Sequence, residues 1–226
     1  MQSEMLLVED LMLLMLHDET GIPAGAGTLH YTLGGAVLVE LALRGRITTD
    51  GTRVAGLNGP KVLAVGDGSL SDPLLRSAYE KVARRPQRVQ THLLDIGGGL
   101  WKPVIERLLE RGLIRRERRR MLGFLRTTRL PTAATQHEAE LRRRVCAVLE
   151  DGESPDTRTA AVIALLSSSG TLPNLHPAPK WSAKVRERAK ELENGNWGAA
   201  AVNIAVTRTA AAVAASTAAV TVAVIT

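Results

Sequence analysis

The sequence contains few aromatic residues and a single cysteine. Three Trp, two Tyr and one Phe among 226 residues offer few of the flat surfaces on which nucleic-acid bases stack. One cysteine excludes an internal disulfide framework and any metal site built from several thiolates, which is typical of proteins of a reducing compartment. Cys146 lies between the apolar residues Val145 and Ala147, so we expect it to be a small core residue.

The sequence also lacks the short motifs of common enzymes, because no P-loop, dinucleotide-binding, zinc-protease or serine-hydrolase pattern occurs. Five histidines are scattered without ligand spacing, which is typical of surface or helix-end positions. Glu9 and Asp10 are neighbours that face different sides of a helix, so they do not predict an acid/base pair. The triple glycine 97–99 has no preceding strand and no following Lys-Ser/Thr, which favours a hinge or close packing point over a phosphate loop. We therefore expect a protein that is not an enzyme and uses no cofactor or metal.

Neither end of the chain predicts a targeting signal or a membrane span. The N-terminal apolar run has no positive region before it and is interrupted by Glu9 and Asp10, so we expect a cytoplasmic protein. Residues 209–226 are uncharged and just reach the length of a span, but they are rich in Ala, Ser and Thr and lack Leu and Phe. We expect a buried, Ala-rich helix over 197–226, with a membrane anchor as the alternative.

The positive charge of the chain is concentrated in one segment. Residues 113–130 contain seven Arg and one Glu, whereas the rest of the chain carries 22 basic and 22 acidic residues. Arginines interleaved with Met121, Leu122, Phe124 and Leu125 predict a β-hairpin in which a basic surface lies beside apolar side chains. Such a surface suits an anionic membrane, where each Lys or Arg contributes about 1 kcal/mol. A solvated charge run is the alternative.

Two other partners suit the same segment. A hairpin of this kind also fits a cytoplasmic interaction scaffold that forms homo-oligomers through it. Nucleic acid would attract the same arginines, because phosphate contacts need only positive charge. Nucleic acid is the least favoured partner, since the sequence contains no recognisable DNA-reading or RNA-reading module.

The periodicity of apolar residues predicts a mainly α fold: one compact helical domain over 1–226, with about eight helices, an apolar central helix set and two small β-hairpins. Ser3 is the expected N-cap of the first helix, and Asp72 and Pro73 are expected to begin the third. The predicted helices are 3–17, 29–44, one beginning at Asp72, 87–112 with an interruption or bend at 97–99 and Pro103, 135–150, 156–168, 180–193 and 197–223. The predicted hairpins are 47–54, with a third strand at 61–65, and 113–130.

Three blocks of the sequence resemble the Golgi phosphoprotein 3 family. They are the opening helix LLVEDLMLL (6–14), the block LVELALRGRI (38–47) and ERLLERGLI (106–114), which leads into the hairpin. The resemblance extends over nearly the whole chain, including the Ala-rich C-terminal helix. It implies a peripheral membrane protein that recognises phosphatidylinositol 4-phosphate through a basic pocket beside a membrane-inserting hairpin. In eukaryotes the family links Golgi lipid to the sorting of glycosyltransferases.

The sequence departs from the family at the lipid pocket. The aromatic residue and the three arginines of that pocket correspond in register to Gly25, Gly34, Gly98 and Trp101, and all four differ. We therefore expect a less selective surface for acidic lipid. Richness in Ala, Arg and Gly suggests a bacterial member of the family, associated with the inner face of the membrane.

The expected lipid-binding residues fall into three groups. Electrostatic attraction would come from Arg115, Arg116, Arg118, Arg119 and Arg120. Leu122 and Phe124 would supply apolar contact with the bilayer. Secondary candidates, which lie in or near the family blocks, are Arg44, Arg46, Trp101, Lys102 and Arg107. For Arg44 and Arg46, a favourable interaction with the helix C-terminus is the alternative role.

Overall fold

A computed structural model of the chain describes residues 4–18, 20–50, 59–121, 125–129, 136–195 and 204–225. Within these residues there are nine α-helices and five strands, so the predicted mainly α class is confirmed. The helices are α1 (Leu7–Met15), α2 (Leu29–Leu43), α3 (Pro73–Arg84), α4 (Val89–Gly97), α5 (Trp101–Glu110), α6 (Gln136–Cys146), α7 (Thr157–Ser168), α8 (Ala183–Glu193) and α9 (Ile204–Ile225). The strands are β1 (Ile47–Thr49), β2 (Lys61–Ala64), β3 (Gln87–Arg88), β4 (Glu117–Met121) and β5 (Leu125–Arg129).

The core is built around α2, which packs against α1, α4, α7 and α9. Helices surrounded in this way are apolar on every side, and all nine residues of α1 are buried. The predicted start of α1 is wrong by four residues. The helix begins at Leu7, where Glu9 Oε2 accepts a hydrogen bond from the Leu6 backbone N–H at 2.7 Å and satisfies the N-terminal end. Ser3, the predicted cap, lies outside the described residues.

Glycines allow α2 and α4 to approach closely. A Cβ atom on Gly97 would lie 1.8 Å from the His30 carbonyl oxygen, and one on Gly34 would lie 2.5 Å from the Leu93 carbonyl oxygen. The triple glycine is therefore a close packing point, as predicted, and it also ends α4. Pro103 does not bend a helix, because it lies in the first turn of α5, where its missing N–H is not needed.

The C-terminal helix α9 packs on α2, α4 and α7. Small side chains permit the contact, since a Cβ atom on Gly35 of α2 would lie 2.7 Å from Val213 Cγ1. Val213 and Thr217 are fully buried, whereas Ala215 is exposed. No described helix combines the length and the apolar character needed to cross a membrane.

The first sheet has the order β1-β2-β3, and both pairings are antiparallel. Ile47 lies opposite Ala64, and Lys61 lies opposite Arg88. The predicted first and third extended runs therefore pair directly. The intervening predicted strand, around 52–54, lies outside the described residues, and β3 was not predicted because a two-residue strand leaves no periodicity to detect.

One side chain is buried against expectation. His92 has no exposed surface, although isolated histidines were expected at the surface. Its Nε2 accepts a hydrogen bond from the Gln87 backbone N–H at 3.3 Å, and burial lowers its pKa. Cys146, expected in the core, is only partly buried at the end of α6, where desolvation and then Glu150 raise the thiol pKa to about 11.

Candidate functional site

The predicted basic hairpin is formed by β4 and β5, and one of its faces has arginines and no acidic residue. Arg120 lies opposite Arg126, and Arg118 lies opposite Thr128. Directly opposed residues of an antiparallel pair belong to the same face, so this face has three arginine positions and no acidic one. Among the described elements, no helix or other strand makes more than marginal contact with β4 or β5.

The second face of the hairpin is mixed. Glu117 lies opposite Arg129 at one end of the ladder, and Met121 lies opposite Leu125 at the other end. Arg119 lies between these two pairs on the same face. The backbone register thus separates a face with three arginines from a face that has an apolar pair at one end of the ladder.

Four further predicted lipid-binding residues adjoin the paired strands in the sequence. Arg115 and Arg116 are exposed and follow the buried Ile114, so they extend the basic surface toward the body of the protein. Leu122 and Phe124, predicted to contact the bilayer interior, lie outside the described residues.

Arg107, a secondary candidate for lipid contact, is held in ion pairs within the protein. Its Nη2 donates to Asp72 Oδ2 at 2.8 Å, and its Nε donates to Glu9 Oε1 at 3.1 Å. Burial alone would lower the pKa of this guanidinium, but Glu9 and Asp72 more than offset burial and raise it. The structure therefore gives Arg107 a structural role between α1, α3 and α5.

Arg44 and Arg46 also have carboxylate partners. Arg44 Nε donates to Glu40 Oε1 at 2.8 Å, and Arg46 Nη1 donates to Asp67 Oδ1 at 3.2 Å. Arg44 is the C-cap residue of α2, a position where positive charge is favourable. Both side chains are partly exposed, so lipid contact would compete with these pairs.

The remaining positions singled out from the sequence lie around the junction of α4 and α5. Trp101 and Lys102 are exposed in the first turn of α5. Gly98 is exposed in the turn before them, whereas Gly34 is buried against the α4 backbone. A long side chain at Gly34 has no room in this structure, because a Cβ atom there would already contact the Leu93 backbone of α4.

A buried network of carboxylates and arginines connects the blocks that carried the family resemblance. Glu9 and Asp10 of α1 and Glu40 of α2 are all at most 2% exposed. Arg111 Nε donates to Glu9 Oε1 at 2.8 Å, and Arg158 Nη1 donates to Glu40 Oε2 at 3.2 Å. Each carboxylate is thus paired with at least one arginine, as burial of charge requires.

The sequence interpretation missed this network. It correctly placed Glu9 and Asp10 on different sides of a helix, since Glu9 contacts α5 whereas Asp10 contacts α6 and α7. A charged residue inside an apolar run, as in LLVEDLMLL, could have indicated the network. A charge buried with such a run needs a buried partner of opposite charge. The partners themselves lie about a hundred residues away and leave no local pattern.

A comparison with protein families agrees with this arrangement. The model of a family described as Golgi phosphoprotein 3 (GPP34) matches residues 7–209. The match begins at the first residue of α1, contains the carboxylates and arginines of the buried network, and includes the basic hairpin.

Proposed function

Because the chain belongs to the Golgi phosphoprotein 3 family, we propose that it is a peripheral membrane protein that binds anionic phospholipid through its basic hairpin. The observation that carries the proposal is the acid-free face of β4 and β5, on which the register places Arg118, Arg120 and Arg126 together with Thr128. Arg115 and Arg116 extend that surface. In this proposal, the arginines make the first contact with the bilayer by electrostatic attraction.

The positive charges of the hairpin determine how the protein would bind a membrane. Basic residues near an acidic membrane surface each contribute about 1 kcal/mol, and the attraction falls with ionic strength because salt screens exposed charges. The apolar pair Met121 and Leu125 lies at one end of the ladder and would add shallow contact with the interface. Binding of this kind is reversible and depends on the fraction of acidic lipid more than on a particular headgroup.

Phosphatidylinositol 4-phosphate is the ligand that the family implies, but here it would bind as one acidic lipid among several. The support for lower selectivity is the close contact between Gly34 and the α4 backbone, which occupies the place of a pocket arginine. Arg107 is already engaged by Glu9 and Asp72. Trp101 and Lys102 are exposed, and they remain candidates for additional contact with lipid.

Flotation with phosphatidylcholine vesicles that contain graded phosphatidylglycerol tests the proposal. The test variant changes Arg115, Arg116, Arg118, Arg119 and Arg120 to Gln. The control variant removes the same charge from exposed positions on α6 and around α8, by changing Arg143, Arg144, Lys180, Lys184 and Arg186 to Gln. We expect the hairpin variant to lose about three-thousandfold in partitioning, since about 1 kcal/mol, or about fivefold, is removed with each of five arginines. We expect the control to lose much less, and equal losses would contradict the proposal.

A second candidate function is self-association through the hairpin. In the described part of the chain β4 and β5 pair only with each other, so the outer edge of each strand is open to another strand. Sedimentation velocity of the wild type and the hairpin variant distinguishes the two functions. If the protein forms a dimer that depends on the hairpin arginines and does not bind vesicles, self-association replaces membrane binding as its function.

A further inference from the structure

A second basic surface lies outside the hairpin, and charge counting along the sequence does not reveal it. Residues 59–66 and 81–94 together contain five basic residues and no Asp or Glu. These two acid-free stretches are separate in the chain, but the antiparallel pairing of β2 with β3 brings them together. The body that is neutral overall therefore has a local excess of positive charge at this sheet.

The register of β2 and β3 places two cations side by side. Lys61 lies directly opposite Arg88, and both are exposed, whereas the next pair turns the buried Val62 inward. Opposed residues of such a pair have Cβ atoms about 5 Å apart, and like charges at that distance destabilise a sheet. A pair of this kind is unfavourable for folding unless an external anion lies between the two charges.

Two further arginines extend this surface. Arg84 and Arg85 are exposed at the C-terminal end of α3, immediately before β3. We define the second basic surface as Lys61, Arg84, Arg85 and Arg88. Within the described residues none of the four forms an ion pair with a carboxylate, in contrast to Arg44, Arg46 and Arg107.

Three carboxylates lie near the second basic surface. Asp50 follows β1 and donates its backbone N–H to the Lys61 carbonyl at 3.1 Å. Glu80 lies one turn before Arg84 on α3, and Asp95 Oδ2 accepts a hydrogen bond from Gln87 Nε2 at 3.5 Å, beside Arg88. Together with Lys81, the surface has five basic residues against these three carboxylates, so a local excess of positive charge remains available to an external partner.

We propose that the second basic surface is a second site of contact with phosphate groups of an acidic bilayer, independent of the hairpin. This inference rests on the proposed membrane function. An extended bilayer fits better than a single small anion because the four cations spread over a sheet face and the end of a helix. Exposed side chains of this kind meet lipid phosphates without any change in the fold.

The test compares Lys61→Gln/Arg88→Gln with Lys180→Gln/Arg186→Gln, which removes one exposed lysine and one exposed arginine near the start of α8. Partitioning is measured on phosphatidylcholine vesicles with and without phosphatidylglycerol, with the hairpin intact. We expect the Lys61/Arg88 variant to bind acidic vesicles about 25-fold more weakly, because each basic residue at the surface contributes about fivefold. The control is expected to bind like the wild type, and the melting temperature of the Lys61/Arg88 variant to be equal to or above that of the wild type.

The possible outcomes separate this inference from the proposed function. If the wild type binds acidic vesicles and the Lys61/Arg88 variant binds equally well, the second surface is not a membrane contact, and the hairpin proposal stands. If the wild type does not bind at all, both proposals fail. If the variant loses affinity for a DNA duplex but keeps its affinity for vesicles, the surface serves nucleic acid, and the membrane assignment is overturned.

Discussion

The guanidinium group of Arg158 on α7 holds the buried carboxylate of Asp10 on α1, although 148 positions separate them. Both Nε and Nη2 donate to Asp10 Oδ2, at 2.9 and 2.8 Å. Nη2 also donates to the Met5 carbonyl at 2.6 Å, and Nη1 donates to Glu40 at 3.2 Å. Burial alone would lower the pKa of Arg158, but Asp10 and Glu40 more than offset it and raise the pKa. One side chain thus ties the start of the chain to α2 and α7.

Removal of Arg158 is therefore expected to destabilise the fold strongly. Arg158→Met leaves Asp10 buried with its main partner lost, and breaking a buried pair typically costs about 3 to 5 kcal/mol. Urea unfolding measures the change. Arg143→Met is the matched control, because Arg143 is 64% exposed and its pair with Glu140 lies at the surface, where such pairs contribute little. Similar stability losses in the two variants would show that the buried network is not a main source of stability.

The glycine contact between α2 and α4 gives a prediction with a control two residues away. Gly97→Ala would place a Cβ atom against the His30 carbonyl, so we expect a loss of at least about 1 to 3 kcal/mol or failure to fold. Gly99→Ala meets nothing within 4 Å and is expected to be neutral or slightly stabilising. Thermal unfolding of both proteins checks the contrast. A tolerated alanine at 97 would mean that the two helices are less closely packed than described.

Burial of His92 makes stability depend on pH. Its pKa is lowered in the folded protein because burial disfavours the charged ring, whereas the unfolded chain binds the proton near pH 6.5. The unfolded state thus holds more protons below that pH, and stability falls as the pH drops through about 6.5 toward the folded pKa. The slope from this one group is at most about 1.4 kcal/mol per pH unit. Chemical unfolding from pH 8 to pH 5 should show this decline in the wild type.

The His92→Gln variant should lack that part of the decline, since Gln does not titrate in this range. His176→Gln is the matched control, because it removes an exposed histidine by the same substitution. If the wild type and His92→Gln have the same slope, another group controls the pH dependence.

The proposed binding through hairpin charge predicts weak headgroup selectivity. Vesicles with phosphatidylinositol 4-phosphate and vesicles with phosphatidylglycerol, adjusted to equal surface charge, should bind the wild type within about threefold of each other. The reason is that Gly34 leaves no room for a pocket arginine, whereas hairpin arginines respond mainly to charge. A preference of tenfold or more for the phosphoinositide would show a specific pocket built from other residues.

Local signals predicted the elements of the fold well. Asp72 caps α3 through hydrogen bonds from the backbone N–H groups of Leu74 and Leu75, as its sequence position before Pro73 indicated. Gly45 ends α2 with a φ of +66°. The mixture of arginine and apolar residues predicts a hairpin within 113–130, and β4 and β5 pair there as antiparallel strands, in a register that the sequence did not specify. These features depend on neighbours in the chain, which a single sequence displays.

The features that sequence reasoning missed depend on distant partners. The pairing of Lys61 with Arg88 follows from a two-residue strand, and the burial of His92 follows from packing beneath that strand. Arg107 is a secondary candidate for lipid contact because it lies in a block that resembles the family, but Glu9 and Asp72 engage it. The count of basic and acidic residues gave a neutral total outside the hairpin. That total hid a local excess of positive charge, because the pairing of β2 with β3 brings basic residues together.

The most direct test of the membrane assignment is flotation of the wild-type chain with vesicles of increasing phosphatidylglycerol content, at low and at high salt. The account predicts no binding to pure phosphatidylcholine, a steep rise with the acidic fraction at low salt, and a marked loss of binding when salt screens the arginines. A wild-type chain that stays unbound at every acidic fraction in low salt, or that binds neutral vesicles equally well, would contradict it.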